Sequence, residues 1–411
     1  MNWKHVSLGE ISVNIQTGPF GSQLHQSDYS EKGTPVVMPK DLISGHISEE
    51  SIARVSDDHV ERLSRHKIEV GDILYSRRGD VGRCAFASET EAGWLCGTGC
   101  LRVTIDSRKA NPKFVFYQLL KADTIGWVEK HAVGSTMLNL NTSILSSVPI
   151  DLPSHDKQNH IVGVLSAYDD LIENNQKQIK LLEEAAQRLY KEWFVDLRFP
   201  GHETTPIVDG VPDGWTYKPF SEVFDYVRGK SYTSKELSDT TGILMANLKN
   251  IRAFGGYNRN AEKRFTGQYK ANQMLYAGDI VMGVTDMTQE RRLVGHVALV
   301  PDLGEKMTFS MDLIKIIPKL TDNLFLYSAM YYGGLSKQIS PLANGVNVLH
   351  LKPEAMMGIE MLIPTKDILE RYHQQFTPMV TRIEALQKQC DVAAEARDRL
   401  LPKLMSGEIE V

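Results

Sequence analysis

Two kinds of hydrophobic pattern alternate along the 411-residue chain. Short β-branched runs, such as Pro35-Val36-Val37-Met38 and Arg102-Val103-Thr104-Ile105, are broken by turn residues and predict strands in a loop-rich globular region. Helical stretches such as 114–121 lie among them. The pattern then changes. Leu165, Tyr168, Ile172, Asn175, Ile179, Leu182, Ala186, Leu189 and Trp193 advance by alternating threes and fours, the seam of a coiled-coil helix. Pro200-Gly201 and the turn-rich stretch 204–214, with Pro206, Gly210, Pro212 and Gly214, end it. A second globular pattern follows and closes on a second seam: Phe376, Met379, Ile383, Leu386, Cys390, Ala393, Arg397, Leu400 and Leu404. A single apolar stripe is usually ordinary core, but two in register favour pairing of the helices with each other. Asn175, polar inside the first seam, is a device that fixes register at some cost in stability.

The landmarks repeat. Gly18 and Gly229, the segments 134–140 and 345–351, and Pro153 and Pro364 all lie 211 residues apart. Gly71-Asp72-Ile73-Leu74-Tyr75 returns as Gly278-Asp279-Ile280-Val281-Met282. That period is far longer than a solenoid unit, so the chain is a duplicated domain-plus-helix. The expected organisation is a globular domain over 1–153, a helix over 154–199, a linker over 200–214, a second domain over 215–364 and a second helix over 365–411. The domains are expected to be α/β (α+β). The first helix also carries apolar residues outside its seam, Val164, Leu171, Leu181, Tyr190 and Phe194. A two-helix contact needs only the narrow seam, so this wider surface implies partner helices.

Composition adds limits. Hydrophobic residues at 42% and charged residues at 24% suit a soluble globular protein, and no run approaches the roughly 20 apolar residues of a membrane span. Residues 1–10 are polar with no apolar run after them, so a cytoplasmic protein without a signal peptide is expected. Cys84, Cys96, Cys100 and Cys390 form no CxxC pair and read as reduced thiols. The formal net charge of −5 argues against a nucleic-acid partner only on average. Both halves are near neutral, and basic clusters stand out at Arg62, Arg65, Lys67, Arg77, Arg78 and Arg83, and again at Lys249, Arg252, Arg259, Lys263, Arg264 and Lys270. Local basic patches on a neutral body fit a protein that holds DNA with help from partners.

Catalytic constellations are missing. Gly229-Lys230-Ser231 lacks the earlier glycine of a phosphate loop, and the glycines near Gly97 and Gly99 lack dinucleotide-site spacing. No Asn/Asp-Pro-Pro-Tyr/Phe tetrapeptide of an adenine methyltransferase occurs, and no metal-ligand cluster appears among the 12 histidines. A duplicated domain built around paired helices, without such motifs, favours binding over catalysis, with no catalytic residue and no metal site expected.

Three segments resemble the specificity subunit of type I restriction–modification systems. They are Thr17-Gly18-Pro19-Phe20-Gly21-Ser22, then Gly71-Asp72-Ile73-Leu74 followed by Arg77, Arg78 and Gly79, and, most specifically, the stretch 148–199. That stretch includes Asp169-Asp170-Leu171-Ile172-Glu173-Asn174-Asn175 and Leu189-Tyr190-Lys191-Glu192-Trp193-Phe194. The resemblance extends to the closing Leu400-Leu401-Pro402-Lys403-Leu404-Met405. It implies two target-recognition domains held by two long antiparallel helices, each domain reading one half of a split double-stranded DNA sequence. It also implies two methyltransferase subunits on the helices and motor–endonuclease subunits beyond them. S-adenosylmethionine, ATP and Mg would sit on those partners and not on this chain. The seam from Leu165 to Trp193 would be about 42 Å long at roughly 1.5 Å per residue, against roughly 34 Å for a turn of B-DNA. A fused methyltransferase or nuclease with an unrecognised motif is the alternative, and a pure scaffold is a third reading.

Base readout wants the arginine fork and side-chain amides. In the first domain the candidates are Lys40, Arg77, Arg78 and Arg83; in the second, Asn247, Lys249, Arg291 and Arg292. Each either meets DNA or remains a solvated surface charge. Ser135, Thr136 and Asn347, at matching loops, are candidates for phosphate or for simple loop capping. Val164, Leu171, Tyr190 and Phe194 are the candidates for partner contact. The second copy departs from the first at Gly229-Lys230, which lacks the Pro-Phe pair, and by an insertion at 287–292. Different half-sites are therefore expected.

Overall fold

A computed structural model describes residues 3–134 and 137–410, which form two compact units. The first comprises residues 1–173 together with 390–411, and the second comprises 174–389. Each unit contains one globular domain and a segment of each long helix.

In the first unit an antiparallel sheet runs in the order Ser12–Thr17, Cys100–Ile105, Ile73–Ser76, Cys84–Phe86. Ile73–Ser76 buries every side chain and Cys100–Ile105 all but Thr104, while the edge strand Ser12–Thr17 buries none; the helix Pro112–Leu119 packs on this sheet through Phe114, Phe116 and Tyr117. That helix starts where Asn111 caps it, its side chain accepting from the amides of Lys113 and Phe114. A second sheet, in the order Leu95–Cys96, Thr34–Val37, Ala53–Val55, Tyr29–Ser30, contains one parallel pairing, between Leu95–Cys96 and Thr34–Val37. Lys4–Ser7 pairs with Pro149–Leu152. The second unit repeats all of this. Its sheets run Phe224–Arg228, Leu313–Pro318, Ile280–Gly283, Val297–Leu299, and Leu237–Ser238, Lys263–Phe265, Ile243–Ala246, Met307–Phe309, again with one parallel pair, and Thr216–Pro219 pairs with Glu360–Ile363. With mostly antiparallel sheets and segregated helices, each domain is α+β.

The helix α1 spans His155–Tyr190 and α2 spans Lys366–Ser406. Pro378 and Pro402 occur within α2 on its exposed side. In the first unit Ile161 and Leu165 of α1, with Leu404 and Met405 of α2, join the core of Leu8, Tyr75, Leu101, Phe114 and Ile150. There Arg397 bonds Asp169, and Cys390 lies against the carbonyl of Ile172, so the segments run antiparallel. In the second unit the same sense is marked by Asn175 with Gln389 and by Gln178 with Arg382. Asn175 is buried and its amide donates to Gln389 at 3.2 Å, so the polar seam residue has its partner.

Past Tyr190 the helix widens into a π turn, Lys191–Val195, closed by Asp196 N–H donating to the Lys191 carbonyl. Trp193 and Phe194 are thereby set into the core of the second unit, where Phe194 meets Phe325 edge-on at 5.1 Å and Tyr372 at 4.9 Å. Tyr190 packs on the same pair of rings. The expectation that Tyr190 and Phe194 face a partner is therefore corrected: both are nine-tenths buried inside their own unit. Their apolar faces serve the second domain, a neighbour that helical periodicity alone does not reveal.

Candidate nucleic-acid interface

At one edge of the first domain's main sheet four chain segments converge. Ser12–Thr17 ends at Gly18, whose N–H donates to the Cys100 carbonyl at 2.9 Å. A Cβ on Gly18 would overlap the Gly97 carbonyl, so this crossing requires glycine. Ile73–Ser76 ends at Arg77, whose N–H donates to Gly99 (2.8 Å) and whose carbonyl accepts from Leu140 (2.8 Å). Arg78 bridges to Asn139, which ties residues 137–140 beside it. Thr34–Val37 arrives at the same edge, its Val37 carbonyl accepting from Gly97 at 2.9 Å, and continues into Pro39 and Lys40.

The second domain builds the same edge from other residues. Gly229 N–H donates to Leu313, Val284 N–H to Asp312, Leu351 N–H to Val284, and Ser310 N–H to Ala246. Gly229 lies as tightly against the Ser310 carbonyl as Gly18 does against Gly97. Val284 thus takes the place of Arg77 and Thr285 that of Arg78, while Arg291 and Arg292 stand on the inserted loop. Asp286 organises that loop. Its buried carboxylate accepts from the amides of Thr288, Leu293 and Val294 and from the Thr288 hydroxyl. Burial pulls its pKa up, but these donors outweigh it and hold the group below the usual carboxylate range. Beneath the loop His296 is buried, and that desolvation lowers its pKa against the opposing pull of the Arg291 and Phe254 carbonyls.

The sequence candidates separate on this frame. Arg77 is half-buried with its guanidinium 5.6 Å over the Phe20 ring, and Arg78 is exposed; neither forms an ion pair among the described residues. Lys40 is exposed on the adjoining turn and its ammonium donates to the Ser51 carbonyl. Arg83 is bound to Asp80 at 2.6 Å and lines a separate cavity of about 620 Å³ with Tyr117 and Arg397. Lys249 and Arg292 are exposed, the latter paired with Glu290. Arg291 is half-buried in a left-handed backbone conformation (φ 53°), and its Nε finds no partner. Asn247 is corrected: it is buried, capping the turn at Lys249 and donating to the Asn250 side chain and the Ala261 carbonyl, so its amide is already committed. Asn347 is exposed at the tip of its loop, whereas Ser135 and Thr136 lie outside the described residues.

The basic cluster around 249–270 is also less open than its composition suggests. Arg259 pairs with Glu384 at 2.8 Å, Arg264 with Glu305, and Lys263 bonds the Tyr232 hydroxyl. Sequence reasoning missed Phe20, Met137, Lys230, Met287 and Val346, all at this edge and, apart from half-buried Lys230, all exposed. The repeated glycines Gly134 and Gly345, both at positive φ, were the signal that marked the loops. The described residues hold no cluster of metal ligands, and no helix among them is long and apolar enough to cross a membrane.

Residues 1–184 match the family described as the type I restriction modification DNA specificity domain. Over 403 residues the chain is 28% identical to the type I restriction enzyme MjaIX specificity subunit of Methanocaldococcus jannaschii, covering 92% of this chain and 87% of that one. The chain is thus similar to type I restriction enzyme specificity subunits over most of its length. The HindI specificity subunit of Haemophilus influenzae is 22% identical over 477 residues, spanning 99% of this chain and all of its own. The fold is that of the specificity subunit of M. genitalium, with a TM-score of 0.58 at 14% identity, covering 98% and 96% of the two chains. The relatives are specificity subunits, which leaves the fused methyltransferase or nuclease reading without support.

Proposed function

We propose that this chain is a specificity subunit that supplies the DNA sequence recognition of a type I restriction–modification complex, each domain reading one half of a bipartite target. One observation carries the reading: the same hydrogen-bonded loop frame recurs at the same sheet edge of both units, dressed with different exposed side chains. A common frame with different readers is what two unlike half-sites require. Methyltransferase subunits dock on the helices, where Leu171 and Leu181 are 43% and 65% exposed and Val164 is half-buried. Motor–endonuclease subunits complete the assembly, and S-adenosylmethionine, ATP and Mg belong to those partners.

The test is binding competition by the assembled complex against two DNA libraries, each randomised in one half-site. Replacing Arg77 and Arg78 by Ala is expected to relax one half-site by about 1–3 kcal/mol for each bidentate arginine–base pairing removed and to leave the other intact. Equal relaxation of both half-sites would overturn the two-reader reading. A uniform loss across all sequences would make the arginines phosphate ligands.

A further inference from the structure

The recognition edge of the second unit ends in an unusual surface. Thr285–Asp286 pairs antiparallel with Leu349–His350, and the ribbon is extended by Gln289 donating to the Val346 carbonyl at 2.8 Å. Beyond the paired residues stand Met287, 76% exposed, and Val346, 86% exposed. Leaving two large apolar side chains in water at one tip costs solvation that any polar residue would avoid. The ribbon is not loose: the four donors on Asp286 pin one arm, and Gly345 turns the other tightly enough that a Cβ there would overlap the Val348 carbonyl. Exposed Arg292 and half-buried Arg291 flank the tip on the same loop. In the first unit the matching loop carries Met137, 63% exposed, beside Arg78 and its partner Asn139. Both copies thus place an exposed apolar side chain beside arginines on a braced loop.

We infer that Met287 and Val346 form an apolar reading tip that recognises the 5-methyl group of thymine in the major groove. This rests on the DNA-reading function proposed above. A two-stranded ribbon fits the width of that groove, and thymine alone presents a methyl group there. The arginines meet the phosphates or guanine edges, while the tip buries its own exposed surface against the methyl. Continuity with the recognition edge and the adjoining positive charge select DNA as the occupant.

The experiment uses the full-length subunit in its assembled complex. The bound site is first selected from a random library, and each thymine of the second unit's half-site is then replaced by uracil, which pairs identically but lacks the methyl. For the unaltered complex, at least one such replacement should weaken binding about fourfold, the worth of one buried methyl group. In the double variant Met287→Ala, Val346→Ala that penalty should vanish, with the other half-site still selected and thermal unfolding unchanged. Met287→Leu should retain it. If the complex selects no sequence at all, the DNA-reading function itself fails. If it selects a sequence but uracil is tolerated throughout, if the half-site contains no thymine, or if the penalty persists in the double variant, the methyl-reading tip is overturned while the function stands.

Discussion

Removing the carboxylate of Asp169 should destabilise the first unit by about 3–5 kcal/mol, the cost of breaking a buried ion pair from one side. Asp169, on α1, accepts from the Tyr117 hydroxyl with one oxygen and from Arg397 of α2 with the other, at 2.8 Å. The Asp169 and Arg397 side chains are 10% and 18% exposed, so water screens the pair little. Burial, and then the charge of Asp169, push the Tyr117 phenol above its ordinary pKa, so it stays a donor. In Asp169→Ala the guanidinium retains Asp398 at 2.8 Å, which places the expected loss at the lower end, about 3 kcal/mol. Against a total stability of about 5–15 kcal/mol that is a large fraction. Urea unfolding followed by circular dichroism measures it as a lowered midpoint at unchanged slope. A second arm separates desolvation from attraction: Tyr117→Phe, Asp169→Leu and Arg397→Leu together should recover most of the loss, because an apolar replacement leaves no charge unpaired. If Asp169→Ala unfolds within about 0.5 kcal/mol of the unaltered chain, or the triple variant is no better than the single one, the reasoning is wrong.

Further outcomes follow from the same structure. Asp286→Ala removes the acceptor of three loop amides and should relax the second half-site as strongly as loss of Arg291 and Arg292, measured by the same library competition. His66 is buried and its ring accepts from Arg65, with burial lowering its pKa to about 4. Because the unfolded state binds a proton from near pH 6.5, the stability this neutral ring contributes is full above 6.5 and is lost as pH falls toward 4. His66→Gln should flatten that part of the urea midpoint–pH profile, and an unchanged slope would refute the assignment. Leu171→Asp should leave the chain folded and abolish co-purification with a methyltransferase partner, whereas retained co-purification places the docking surface elsewhere. Gly333→Ala should lower the melting temperature of the second unit, since its Cβ would meet the Tyr190 ring.

The repeat, the two seams and the α+β domains were legible because each rests on periodicity, which one sequence displays directly. The seam even placed Arg397 correctly among apolar positions, although only the structure supplies Asp169 as the reason an arginine is tolerated there. Long-range pairing was not legible. Nothing local distinguishes Asn247, whose amide closes a buried turn, from an exposed asparagine that reads a base. Tyr190 and Phe194 followed the rule for a partner-facing surface and were claimed by the second domain through a π turn that no periodicity announces. Arg259 looked free until Glu384, 125 residues away in sequence, was brought to it.

The loop frame at the recognition edge is fixed by main-chain donors and acceptors, and this has an evolutionary consequence. Arg77 and Val284 hold the same two backbone bonds although one side chain is a cation and the other apolar. Side chains there are therefore exchangeable parts: substitution alters what is recognised without dismantling the support. Gly18 and Gly229 are the fixed points of that support, because any side chain would collide with a neighbouring carbonyl. Drift in such a chain should leave the glycine crossings unchanged and run freely through the positions they hold up, so that new target sequences arise by point changes in an unaltered scaffold.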